Sequence, residues 1–278
     1  MPITVDKVRA ALAARYAIHD EIGRGGMAVV FRATRLADGL PVAVKVLRPE
    51  VAATLGPDRF QREIAFLRQL VHPNILPLLD SDDAGPFIYF VMPFAAGESL
   101  KTRIQCAGHL AVDVVVEIAG QMAAALDYAH RHNVIHRDIK PENILEHDGR
   151  WTLCDFGVAR AIGLAGADSL SPSGIVIGTP AYMSPEQGAP GAVLDGRSDL
   201  YALGCVLYEA LAGVPPFTGP TPQAVIARHA RERPPSLRVV RPDVPPHVEA
   251  ALERALAKRP KDRPQSVGEL AELLSPAS

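Results

Sequence analysis

The stretch "EIGRGGMAVVFRAT", Glu21 to Thr34, restricts the fold more than any other in the chain. Gly23, Gly25 and Ala28 spell G-x-G-x-x-A, close to two unrelated nucleotide fingerprints and also to the glycines of ordinary hairpin turns. The residues that follow discriminate. A doubly wound dinucleotide loop opens a helix whose N-terminus receives the pyrophosphate. Here Val29, Val30 and Phe31 lead instead to a polar turn at "ADG" and then to "PVAVKVL". A Walker loop ends in Gly-Lys-Ser/Thr, and this one runs Gly25-Gly26-Met27. Two β-rich runs joined by a glycine-containing turn predict a hairpin. The glycines then sit between strands, where main chain can lie close over a ligand.

The 278 residues suffice for a sizeable core in one two-lobed unit or two small domains. With 48% hydrophobic and 22% charged residues, the composition is that of a soluble globular protein. A net charge of -2 offers no general attraction to nucleic acid or anionic membrane. The most apolar stretch, "AVDVVVEIAGQMAAALDYA", is interrupted by Asp113, Glu117 and Gln121 and falls short of the roughly 18 apolar residues of a membrane span. Early charges at Asp6, Lys7 and Arg9 argue against a signal peptide. Cys106, Cys154 and Cys205 are scattered, without C-x-x-C, and suggest a reducing cytoplasm. Strand-like runs dominate up to Gly97, and helices and loops thereafter.

Alternation in "PVAVKVL" places Ala43, Lys45 and Leu47 on one strand face and Val42, Val44 and Val46 on the other. Ala43 leaves room for a flat ring beside a lysine that can reach phosphates. A strand lysine is usually a surface residue, but the neighbours of Lys45 are all apolar, so it needs an anionic partner. The helix predicted over "DRFQREIAFLRQLVHP" has Phe60, Ile64, Leu67 and Val71 as its apolar stripe. Glu63, at the edge of that stripe, is the candidate partner.

Two further segments carry the most information. "VIHRDIKPENIL" holds His136, Arg137, Asp138, Lys140 and Asn143, and "WTLCDFGVAR" holds Asp155, Phe156 and Gly157. In this order and spacing, with Ser184-Pro185-Glu186, "DLYALG" (Asp199 to Gly204) and the late Arg263, the chain resembles the Hanks-type protein kinases from about Tyr16 to Leu274. The pattern is most similar to the bacterial branch, through the "GGMA" loop, "GTPAYMSPEQ" and "GxPPF". The resemblance implies an α+β bilobal fold: a small antiparallel β-sheet N-lobe with one main helix, and a larger, mostly helical C-lobe. The expected organisation is an N-terminal helical extension over 1–15 and a catalytic domain over 16–275. Within that domain the N-lobe covers about 16–92, the hinge 93–96 and the C-lobe about 97–275.

What the resemblance implies for chemistry is transfer of the γ-phosphoryl group of ATP, with Mg²⁺ (or Mn²⁺), to Ser/Thr hydroxyls of protein substrates. Asp138 would accept the hydroxyl proton and Lys140 would neutralise the transferred group. Asn143 and Asp155 would hold the metal, and Lys45, held by Glu63, would grip the phosphates. Thr179 would contact the catalytic Asp and Lys. The amides of Gly23, Arg24, Gly25, Gly26, Met27 and Ala28 would cover the phosphates. Ile22, Val30, Ala43 and Leu145 would sandwich adenine, with Met92 as gatekeeper and Pro93, Phe94 and Ala95 as the hinge. Leu67, Leu78, His136 and Phe156 would stack as a spine, and Glu186 would pair with Arg263. Lys140 points to Ser/Thr rather than Tyr acceptors. Two departures are small: Ala28 stands at the third glycine, and Ser184 where the family has alanine.

Control is expected at the segment "GLAGADSLSPSGIVIGTP". Ser169, Ser171 and Ser173 are its candidate phosphosites, with Ser171 and Ser173 the best matches, and Arg137 would receive the phosphate; phosphorylation in trans implies self-association. A pseudokinase scaffold would lack Lys45, Asp138 or Asp155, and a small-molecule phosphotransferase would lack the "SPE" segment with its docking loop. His130, His132 and His136 do not have zinc-ligand spacing; the first two read as a helix end. Without a membrane span up to Ser278, the chain reads as a cytoplasmic kinase that stands alone or takes its input from a partner. No nucleic-acid partner is expected.

Overall fold

Strand register decides which side chains meet a ligand. In the computed structural model, which describes residues 3–52, 64, 67–85, 87–156, 180–189 and 191–275, five strands form one antiparallel sheet. They are β1 (Tyr16–Arg24), β2 (Ala28–Arg35), β3 (Pro41–Leu47), β4 (Asp80–Ala84) and β5 (Phe87–Pro93), in the order β1-β2-β3-β5-β4. The predicted glycine-rich hairpin is β1–β2. Residues directly opposite in an antiparallel pair share a face. Val30, Lys45 and Phe90 are opposite one another, as are Arg32, Ala43 and Met92. Val29, Val46 and Tyr89 lie on the other face, with Phe31, Val44 and Val91. The alternation read in "PVAVKVL" is therefore the observed one.

That second face closes a core of its own. Helix α1 (Val5–Leu12) lays Val8 and Leu12 on it, and they bury with Tyr16, Ile18, Phe31, Val44 and Phe87. The first face contributes Ala28, Leu47 and Phe90 to a larger core that continues into the helical part. Helix α2 (Leu100–Ala107) starts at Ser99, whose hydroxyl accepts the Thr102 N–H. Helix α3 (Val112–Arg131) buries Val115, Ile118, Ala119, Met122, Leu126 and Ala129, the i, i+3, i+4 stripe of an amphipathic helix. Helix α4 (Gly196–Ala212) is buried almost all round and forms the axis of the lobe. Asp195 caps its start through the Arg197 N–H. Gly213 ends it at φ 81, and a Cβ there would fall 2.2 Å from the Gly108 carbonyl oxygen, so glycine is required twice over. Helices α5 (Pro222–Arg231), α6 (Pro246–Ala255) and α7 (Val267–Leu274) complete the lobe. The α+β, two-lobed reading describes this fold.

Between α3 and α4 a small hairpin, β6 (Ile144–His147) and β7 (Arg150–Leu153), carries the chain from one chemically loaded segment to the next. Its two-residue turn has Asp148 at φ 49 and Gly149 at φ 72, both left-handed, which matches strand twist. No described helix is long and apolar enough to cross a membrane.

Candidate active site

The β6–β7 hairpin aligns two ends of the site. Ile144 pairs with Leu153, and the Cys154 N–H donates to the Asn143 carbonyl at 2.9 Å, so Asn143 and Asp155 emerge side by side at its open end. Asp155 sits at φ 65, a left-handed conformation uncommon for a residue with a side chain. Its carboxylate reaches across to the sheet, where Lys45 Nζ lies 2.7 Å from Oδ2. Burial alone would push each group toward neutrality. Their mutual attraction prevails, so the Lys45 ammonium is held above its ordinary value and the Asp155 carboxyl below its own. Burial pushes the Cys154 thiol well up, which makes it a small core residue and not a nucleophile.

The segment before β6 is built around Asp138. Lys140 Nζ donates to Asp138 Oδ2 at 2.6 Å, and Asn143 Nδ2 donates to the same oxygen at 3.2 Å and to the Asp138 carbonyl at 2.8 Å. A short 3₁₀ turn, Pro141–Asn143, brings Asn143 back toward Asp138. His136 is fully buried and its partners fix its tautomer. Nε2 faces the Cys154 carbonyl at 2.9 Å and must donate; Nδ1 faces the Asp138 N–H at 3.2 Å and must accept. One imidazole thus ties the Asp138 backbone to the segment leading into Asp155. Its ring also packs edge-on against Phe156, centroids 4.7 Å apart. Leu67, Leu78, Met92, Asp155 and Phe156 line a cavity of about 30 Å³ beside it.

Asp199, in the first turn of α4, supports this loop from below. Oδ2 accepts the His136 N–H and Oδ1 the Arg137 N–H, each at 2.8 Å. His130 Nε2 donates to Oδ2 at 2.8 Å. Sequence reasoning missed His130 and treated it only as a helix end. The legible signal was its position four residues after Leu126, on the buried stripe of α3. Burial lowers the His130 pKa, but the Asp199 bond and charge outweigh it and the net shift is upward. A raised folded-state value means that the pair's contribution is fully present below the ordinary 6.5 and is lost as pH rises through the raised value. Melting temperatures of the parent and His130→Gln, compared from about pH 6 to about pH 9, should therefore converge as pH increases. A constant gap would show that the histidine charge is not what stabilises the loop.

One face of the sheet is assembled as the register dictates. Val30, Ala43, Lys45 and Met92 share one face of the sheet. Pro93 ends β5, and the Phe94 N–H donates to the Pro41 carbonyl at 3.1 Å, which turns the chain out of the sheet toward Ala95. Leu145 is on β6, opposite Thr152 of β7 and bridged to Ser99. Ile22 falls at a break in the β1–β2 register, between Glu21 and Gly23, and is 45% exposed. In the glycine loop the Gly25 N–H is committed to the Ala28 carbonyl at 2.9 Å, whereas the family resemblance implies amides that cover phosphates together. The tip at Gly26 is open: a Cβ there would meet nothing within 4 Å.

Glu186 and Arg263 form a two-pronged pair, Nη1–Oε1 at 2.7 Å and Nη2–Oε2 at 2.8 Å. Nearby, the Tyr182 hydroxyl donates to Glu209, which also accepts from Lys101, a network that no local pattern announces. Among the expected residues, Glu63, Gly157, Ser169, Ser171, Ser173 and Thr179 lie outside the described residues, and so does the Lys45–Glu63 pairing. Among the described residues, the carboxylate placed on Lys45 is that of Asp155.

Comparison with known proteins agrees with this geometry. The profile of a family described as "Protein kinase domain" matches residues 16–273. Serine/threonine-protein kinase PknB of Mycolicibacterium smegmatis is 41% identical over 269 residues, covering 93% of this chain and 42% of the relative. A probable serine/threonine-protein kinase PknB of Lactococcus lactis is 40% identical over 260 residues, 92% of this chain and 41% of that one. The chain thus spans about two fifths of the length of these curated relatives. Among solved structures, the Mycobacterium tuberculosis PknI kinase domain superposes with a TM-score of 0.74 at 31% identity, covering 94% of this chain and 95% of the other. Rad53 1–466 in complex with AMP-PNP gives 0.78 at 25% identity, covering 96% and 68%.

Proposed function

The chain belongs to the protein kinase family, in its bacterial Hanks-type branch, and from that premise we propose that it transfers the γ-phosphoryl group of ATP to Ser and Thr hydroxyls of proteins. The observation that carries this reading is the convergence of Asp138, Lys140 and Asn143 beside the Lys45–Asp155 pair, at the open end of one hairpin. Among the described residues, the side-chain donors to the Asp138 carboxylate meet Oδ2, and Oδ1 is the atom assigned here to take the proton of the attacking hydroxyl. Lys140 stands where a transferred phosphoryl group would need its charge balanced. Lys45 is the cation for the phosphates upstream. Because phosphoryl transfer requires little covalent work from the protein, positioning and charge neutralisation are what these residues contribute.

The donor set fits a hard divalent cation. Asp155 and Asn143 offer carboxylate and amide oxygens, and Mg²⁺ commonly takes one or two protein ligands, completing its shell with phosphates and water. These two residues would hold Mg²⁺, or Mn²⁺ in its place, and the bound metal would neutralise phosphate charge. The hinge and pocket assignments at Ile22, Val30, Ala43, Met92, Pro93, Phe94, Ala95 and Leu145 belong to the same reading, with an N-terminal extension over 1–15 preceding the catalytic domain. So do a cytoplasmic location and control by phosphorylation at Ser171 or Ser173 in trans, with Arg137 as phosphate receiver and Thr179 serving the catalytic loop.

The experiment is incubation with labelled ATP and Mg²⁺, with and without a generic basic protein substrate, followed by mass spectrometry. Phosphoserine and phosphothreonine are expected on the substrate, and phosphate on Ser171 or Ser173 of the kinase. Activity should rise as that modification accumulates and should fail to rise in a Ser171→Ala/Ser173→Ala variant. Label transferred only to tyrosine, or to no protein, would overturn the reading.

A further inference from the structure

Arg137 precedes Asp138 at φ 70, so the peptide planes on either side of it are turned in a way that side-chain-bearing residues seldom adopt. Each plane is held by a different element. The N–H side is bound by Asp199 Oδ1 from α4 at 2.8 Å. The carbonyl side, which belongs to the peptide entering Asp138, accepts from Gln187 Nε2 at 3.0 Å. Gln187 cannot be turned the other way round. Its Oε1 accepts from the Ser184 N–H and the Ser184 hydroxyl, each at 3.0 Å, and a backbone N–H can only donate while the Arg137 carbonyl can only accept.

The mounting is rigid. Gln187 lies in the 3₁₀ turn Pro185–Gly188, and its neighbour Glu186 is gripped by the buried Arg263. Ser184 is 1% exposed, and its hydroxyl orients the Gln187 amide. The serine that stands where the family has alanine is thus more than a small-for-small exchange.

We infer that Gln187, oriented by Ser184, is a positioning residue that sets the peptide plane of Arg137–Asp138 and so aims the Asp138 carboxylate. This rests on the reading of Asp138 as the base. The segment that carries Glu186 thereby fixes the geometry of the catalytic loop as well as the stability of the lobe. Displacement of a reacting group by about 1 Å lowers turnover by up to roughly 100-fold, so a slackened plane should be read in kcat and not in ATP binding.

The test compares the parent with Gln187→Ala, Gln187→Glu, Ser184→Ala and Asp138→Asn, measuring kcat, KM for ATP, melting temperature and the pH profile. Gln187→Glu is the decisive variant. Ionised, its carboxylate still accepts from Ser184 but turns a second acceptor toward the Arg137 carbonyl. Protonated, it can present one O–H donor to the Arg137 carbonyl and one acceptor to Ser184, as the amide does toward these two partners. Its kcat should fall roughly 10- to 100-fold at about pH 8, with KM for ATP within about twofold of the parent. The deficit should narrow as pH is lowered and the carboxyl, raised by the facing carbonyl against the two Ser184 donors that favour its ionised form, takes up its proton. Gln187→Ala should lose turnover without that recovery, and Ser184→Ala should show a smaller loss in the same direction. Parent-like kcat in both Gln187 variants, with Asp138→Asn inactive, would overturn the inference alone. So would a loss that tracks a fall in melting temperature and is indifferent to pH. Parent-like turnover in Asp138→Asn would remove the assignment of the base and this inference with it.

Discussion

Asp138→Asn is expected to lower turnover by roughly 10²- to 10⁴-fold, the range that a positioned general base commonly supplies, while ATP affinity stays within a few-fold. The substitution keeps the size and shape of the side chain, so the loop should keep its form. Several bonds that hold the loop's backbone do not use the side chain of Asp138: the Asp199 carboxylate takes the His136 and Arg137 N–H groups, His136 takes the Asp138 N–H, and Asn143 Nδ2 keeps the Asp138 carbonyl. The contact of Lys140 with Asp138 is lost or weakened, because an amide oxygen is a poorer partner for an ammonium than a carboxylate. Steady-state turnover and nucleotide binding by fluorescence titration check the two halves separately. Near-normal turnover would mean that another group accepts the hydroxyl proton.

Arg263→Ala should cost about 3–5 kcal/mol of stability, the usual penalty for stranding a buried charge, and lower the melting temperature by on the order of 10 °C. The Arg263 side chain is 0% exposed and Glu186 only 9%, so water cannot replace the lost partner. All five N–H donors of Arg263 are used: two on Glu186 and one each on the carbonyls of Arg197, Ala257 and Lys258. Its guanidinium also lies 4.7 Å over the Tyr201 ring. Removal takes one donor from each of three carbonyls, and the Glu186 carboxylate keeps the Ser198 hydroxyl but loses both prongs of the guanidinium. Arg263→Lys should recover only part of the loss, because an ammonium cannot reproduce the planar fork. The pH dependence has a definite sign. Burial would raise the Glu186 pKa, but the Arg263 bonds and charge lower it. The pair's contribution is therefore present above the ordinary 4.5 and disappears as pH falls through the lowered value. Thermal melts of the three proteins at neutral and acidic pH decide the matter, and an Arg263→Ala variant that melts with the parent would show the pair to be dispensable.

Local chemistry determines some of the elements that surround the candidate site. The glycine-rich hairpin and the alternation that puts Ala43 and Lys45 on one face are properties of neighbouring residues, whereas the Asp138 and Asp155 segments are legible through their resemblance to the protein kinases. Strand period and turn chemistry express such properties directly. Pairings across the chain were another matter. That Lys45 meets Asp155, 110 residues away, follows from where the β6–β7 hairpin brings the Asp155 backbone, and its left-handed φ is visible only in the folded chain. His130 looked like a helix end, because its role depends on Asp199 lying on α4, 69 residues later. Ser184 reads in the sequence as a small departure from alanine and Gln187 only as the end of "GTPAYMSPEQ"; the approach of Gln187 to the Arg137 carbonyl is visible only in the folded chain. The physical reason is the same in each case. Hydrophobic pattern and backbone preference are set by a residue and its near neighbours, whereas a buried polar group acquires its meaning from the partner that packing delivers to it, and that partner is chosen by the tertiary fold.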